Sequence, residues 1–181
     1  HIDYVHTYFA YKTPTLVRGE PTYNDLKQIK TELRANASSV ESNAGGGDHG
    51  HLYLVLTNAE YLQIPSITNV AVAPTWPGTL NLPVTTWAVQ AIYLKEKHHD
   101  SIRVYRKHQN VEKALLHHLQ RSLEPKYLDS FVNDATALLT GDIPVILAHL
   151  FQRYGTVRGS NVKTWNPQSY KHPSPLLSHW S

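Results

Sequence analysis

Twelve histidines among 181 residues raise metal binding as the first chemical possibility. The candidates are His49 with His51, the doublet His98-His99 and the doublet His117-His118. Adjacent residues on a helix point about 100° apart, so each doublet offers one ligand to a face. No His-Glu-x-x-His pair is present, and the reading is structural or solvated histidine with no metal and no cofactor. The twelve titratable groups also raise assembly that responds to pH.

Other chemistry fares no better. The stretch Gly45-Gly46-Gly47-Asp48-His49-Gly50-His51 lacks the Lys-Ser/Thr that completes a phosphate loop, and Asp48 would repel phosphate, so it reads as helix stop, linker and next cap. There is no Gly-x-Ser-x-Gly elbow and no Asp-Thr/Ser-Gly, and Glu96 with Asp100 sits among Lys and His as a solvated face. No Cys is present, which removes thiol catalysis, disulfides and Cys-type zinc sites. The expectation is a protein that is not an enzyme, with no catalytic residues. Asn36-Ala37-Ser38 fits a glycosylation sequon.

Charge offers a second line. The net charge is +3 and the pI about 9.0, which permits a polyanionic partner without requiring one. Residues 95–126 hold eight Lys/Arg against four Asp/Glu. Lys95, Lys97, Arg103, Arg106 and Lys107, with Tyr93 and Tyr105 nearby, are the candidate nucleic-acid contacts; an ordinary solvated helix face is the alternative.

The elements that would position these residues follow from periodicity. Residues 1–21 read as an extended N-terminal arm whose Tyr4, Tyr8, Phe9 and Tyr11 lie among prolines and glycine, a density of aromatic surface that calls for packing on the chain's own body or on a neighbouring subunit and makes the four candidate interface residues. Thr22 or Asn24 caps a helix carrying Leu26, Ile29 and Leu33, which the glycine run ends. Asp48 caps a short apolar helix reaching Leu62, and the proline-rich stretch 65–84 is an extended loop. A long helical pattern begins at Thr85, with a break or cap at Asn110, and Pro125 opens a further helix through Val132. Ile143, Ile146, Leu147, Leu150, Phe151 and Tyr154 then form a helical stripe between Asp142 and Gly155. Residues 158–181 read as an irregular C-terminal arm, with Trp165, Leu176, Leu177 and Trp180 as candidate interface residues. The predicted class is therefore mostly α: one helical domain over 22–157, flanked by two Pro- and aromatic-rich arms.

Three segments read together carry a family resemblance. They are Gly19-Glu20-Pro21-Thr22-Tyr23 leading to Leu33-Arg34-Ala35-Asn36-Ala37-Ser38-Ser39-Val40; Gly45-Gly46-Gly47-Asp48-His49-Gly50-His51-Leu52 with Leu54-Val55-Leu56; and Glu124-Pro125-Lys126-Tyr127-Leu128 through Ile146-Leu147-Ala148-His149-Leu150-Phe151-Gln152-Arg153-Tyr154-Gly155. Over roughly residues 5–157 the chain resembles the Gag-like proteins of copia-type LTR retrotransposons. The resemblance implies a helical, capsid-like domain that associates with itself into shells and encloses RNA. The Cys/His zinc knuckle that often follows in that family has no counterpart among these residues, since no Cys is present.

The expected function is thus a self-associating, capsid-like or filament-like structural subunit, with terminal arms that exchange between neighbours. The alternatives are a nucleic-acid-binding module using residues 95–126, with RNA as partner, and an accessory subunit docked on a larger protein complex. No apolar run approaches the roughly 20 residues of a bilayer span. No charged-then-apolar leader opens the sequence, so an intracellular, cytoplasmic location is expected.

Overall fold

The computed structural model describes residues 2–42, 44 and 48–156, with side chains from Val5 onward. Five α-helices carry the chain: α1 (Ile2–Tyr8), α2 (Tyr23–Ser39), α3 (Asn58–Leu62), α4 (Ala88–Ser122) and α5 (Ile143–Tyr154). The described residues contain no strand; Val132 and Leu139 form an isolated antiparallel bridge. The fold is mostly helical, as the periodicity predicts.

Helix α2 begins where a capping box says it should. Thr22 Oγ1 accepts from the Asp25 amide at 3.2 Å, and Asp25 Oδ2 accepts from the Thr22 amide at 2.8 Å. Its apolar face, with Leu26, Ile29 and Leu33 wholly buried, packs against Val111, Ala114, Leu115 and Leu119 of α4 and Ile146 and Leu150 of α5 in one continuous core. Burying each such side chain contributes about 1.5–3 kcal/mol. Helix α5 matches its predicted stripe, with Ile143, Ile146, Leu147 and Leu150 buried and Pro144 in the first turn. Asp142 occupies the N-cap position, but its side chain makes no capping bond.

Four expectations are corrected. The extended arm over 1–21 instead begins with α1, whose Val5 joins Phe9 in the core. Seven residues are too few for a helix to stand alone, and packing against α4 supplies the stability. The single helix expected from Asp48 divides into a 3-10 turn, Leu52–Leu54, and α3. The division falls at Thr57, where Thr57-x-x-Glu60 forms its own capping box. Lys30 Nζ reaches Glu60 Oε2 at 2.6 Å and ties α3 to α2.

No break occurs at Asn110, and α4 runs unbroken for 35 residues. Asn in a helix interior costs only a few tenths of a kcal/mol, which burial of Val111, Ala114 and Leu115 outweighs. The helix expected after Pro125 is two 3-10 turns, Pro125–Tyr127 and Asp129–Phe131. Asn133 then closes a tight turn, its Oδ1 accepting from the amides of Ala135 and Thr136.

Helix α4 is buried only in its second half. The first buried residue is His108, so residues 88–107, about 30 Å of helix, stand beyond the core. The extended loop 65–84 runs along this projecting half. His98 Nε2 donates to the Gly78 carbonyl at 2.7 Å, and the Trp76 and Tyr105 rings meet edge to face at 5.5 Å. Gly78 has φ +71, a turn conformation that glycine adopts without strain. The expected C-terminal arm, with Trp165, Leu176, Leu177 and Trp180, lies outside the described residues.

Candidate functional site

The candidate surface is the projecting half of α4 and the junction where it enters the core. At the junction a groove of about 770 Å³ lies between α1, the end of α2 and α4. Val5, Tyr8, Val40 and Ile102 supply apolar surface; Arg103, Arg106 and Lys107 make the rim cationic, opposed by Glu41.

Helical rotation sorts the five candidate basic residues. Arg103, Arg106 and Lys107 come together at the groove. Lys95 shares the face of Arg106 but stands about 16 Å away along the axis. Lys97 is nine residues from Arg106, about 900° at 100° per residue, and so lies on the opposite side. The five therefore do not form one patch.

The candidate interface aromatics also separate. Phe9 is buried in the core and unavailable to a partner, a correction to its expected role. Tyr8 is exposed at the groove. Tyr11 is exposed, but its backbone is fixed: Asn36 Oδ1 accepts from the Tyr11 amide at 2.7 Å, and Asn36 Nδ2 donates to the Tyr11 carbonyl at 3.0 Å. Tyr4 lies in α1, where only the backbone is described. Sequence reasoning missed the exposed apolar residues of the projecting half. Trp87 and Val89 are 81% exposed, Ile92 58% and Tyr93 60%. Trp87 reads as one residue of a helical stripe, Tyr93 as a neighbour of the candidate nucleic-acid contacts, and Val89 and Ile92 carry no expectation, because periodicity does not say which stripe finds a partner.

Among the described residues, His51, His98 and His118 take structural roles at separate places in the fold. His118 Nε2 lies 3.0 Å from Glu32 Oε1, both side chains being buried where α4 crosses α2. Burial raises the Glu32 carboxyl, but hydrogen bonds from the side chain and amide of Thr15, from Gln28 and from His118 outweigh it and hold the group below its usual range. Burial in turn pushes His118 down, with Glu32 opposing only in part. A neutral His118 donating from Nε2 to an ionised Glu32, and accepting from Asn36 at Nδ1, satisfies all three groups. Among the described residues no buried side-chain nitrogen or oxygen lacks a partner. Asn36 is wholly buried, so the sequon is inaccessible in the folded chain.

The glycine- and histidine-rich stretch has a structural task that composition did not disclose. The His51 amide donates to the Ala37 carbonyl at 2.9 Å, and His51 Nδ1 donates to the Val40 carbonyl at 2.7 Å. These bonds satisfy carbonyls at the end of α2 from a separate loop. Gly50 has φ +54, and a Cβ there would lie 2.5 Å from the Val40 oxygen and 2.6 Å from the Ser38 oxygen. Burial, aided by the nearby His108 and Lys107, lowers His51 to about 4. Gly45, Gly46 and Gly47 lie outside the described residues.

Among the described residues, no group of three or more His, Asp or Glu side chains is placed to hold a metal ion, and no helix is long and apolar enough to cross a membrane. Comparison of the chain with protein families, with curated proteins and with solved structures found no match.

Proposed function

We propose that this protein is a structural, self-associating helical subunit of capsid-like type, and that the projecting half of α4 is its principal contact surface. One observation carries the reading: about 30 Å of helix stands outside the core and presents Trp87, Val89, Ile92 and Tyr93 to solvent. Val89, Ile92 and Tyr93 fall within about 100° of one another around α4, and exposed apolar surface gathered on one face characterises interaction sites. The resemblance of three segments to Gag-like proteins supports the same role.

The test is sedimentation velocity on nuclease-treated protein over a wide concentration range. The expected result is a mass-action shift to larger species, reduced by the double variant Val89→Ser/Tyr93→Ser at unchanged helical circular dichroism. A monomer at every concentration refutes the reading.

The gathering of Arg103, Arg106 and Lys107 favours a second reading, in which the rim of the groove meets phosphates of single-stranded RNA. Three phosphate contacts give a slope of about −2 in log affinity against log salt. Binding that is absent, or insensitive to salt, removes this reading.

A further inference from the structure

Along the projecting half of α4, Val89, Tyr93, Glu96, Asp100, Arg103 and Lys107 recur at alternating spacings of four and three. That is the repeat of a coiled-coil seam, which keeps one face of a helix toward a neighbour. All are exposed except Lys107, which is half-buried at the groove. Val89 is nine residues from His98, so the seam lies about half a turn from the side on which His98 holds the 65–84 loop. The loop therefore leaves the seam uncovered from Val89 through Arg103, and meets it only at Lys107, which lines a small cavity with Val72 and Pro74 of the loop.

The order of charges along the seam is specific. Two acids, Glu96 and Asp100, are followed by two bases, Arg103 and Lys107. Glu96 and Lys107 are equidistant from a point midway between Ser101 and Ile102, and so are Asp100 and Arg103. A parallel, in-register neighbour would oppose like charges. An antiparallel neighbour related by a two-fold axis through that midpoint opposes acid to base at every charged layer.

We infer that the projecting halves of α4 from two copies of this chain pair antiparallel about a two-fold axis near Ser101–Ile102, with Glu96 facing Lys107 and Asp100 facing Arg103 of the second copy. This rests on the self-association reading above and names its geometry. Each acid–base contact occurs twice by symmetry, as an isologous interface requires. The Asp100–Arg103 pair within each helix joins these contacts into one network. The same register brings Tyr93 of one copy level with Asn110 of the other, at the apolar groove. The end of one projecting helix then meets the junction of its neighbour, which is the place where an amphipathic ring is best accommodated.

Charge reversal tests the pairing by sedimentation equilibrium at low salt, with circular dichroism to establish that each variant is folded. Glu96→Lys sets Lys against Lys107 of the second copy, and Lys107→Glu sets Glu against Glu96. Each single variant is expected to weaken the dimer about tenfold or more, because attraction becomes repulsion at two symmetric positions. The double variant Glu96→Lys/Lys107→Glu restores opposite charges and is expected to recover affinity to within a few-fold of wild type. Self-association that ignores both single variants, or a double variant no better than the singles, overturns the antiparallel seam while leaving self-association through another surface in place. A wild-type protein that stays monomeric overturns both readings.

Discussion

Acid should loosen this fold well above the pH at which its carboxylates titrate, and His51 is the residue through which the effect can be isolated. Its ring is 2% exposed, donates to the Val40 carbonyl, and is held to about 4 by burial, with the nearby His108 and Lys107 adding to the shift. In the unfolded chain the same group titrates near its model value of 6.5. Below that value the unfolded state binds a proton that the folded state resists. Stability is therefore fully present above about pH 6.5–7 and falls as pH drops toward 4. A difference of roughly two and a half units at 1.36 kcal/mol each is about 3 kcal/mol, a large part of the 5–15 kcal/mol typical of a domain. Glu41, just past the end of α2, lines a small cavity together with His51, Lys107 and His108. His108 and His118, both lowered by burial, add in the same direction. The assay is urea denaturation of wild type and His51→Gln at several pH values from 7.5 to 4.5. Gln keeps a donor for Val40 and does not titrate. The wild-type advantage over the variant should shrink by about 2–3 kcal/mol across that range. Parallel curves for the two proteins would refute the reasoning.

Two further outcomes follow from the same core. Glu32→Ala removes the acceptor of Thr15, Gln28 and His118 at once and should cost about 3–5 kcal/mol in denaturant unfolding, whereas a loss under about 1 kcal/mol would mean that the network is not the buried hub described. Gly50→Ala places a Cβ against the Val40 and Ser38 carbonyls in a left-handed conformation, and should lower stability by about 2 kcal/mol or more; an unchanged melting temperature would show that the loop relaxes away from α2.

How much of this was legible beforehand varies with the range of the interaction. The α5 stripe from Ile143 to Tyr154 was legible because every signal for it lies within one turn of the next. Thr57-x-x-Glu60 was equally local, yet the apolar run around it masked the boundary it sets. Helix α1 was not legible, since a seven-residue helix draws its stability from α4, about a hundred residues away. Nor were the three basic residues at the groove separable from Lys97 until the unbroken course of α4 through Asn110 fixed their rotation.

The sequence by itself determined that the chain is mostly helical, where its apolar stripes lie, and that the charges of the seam run acid before base. Those are properties of residue type and spacing. Tertiary structure alone decided that Glu32, Asn36 and His118 meet in the core, that His51 closes the end of α2, and which half of α4 is buried. Each depends on contacts between residues far apart in the chain. Periodicity marks the face a helix offers but not whether another element covers it.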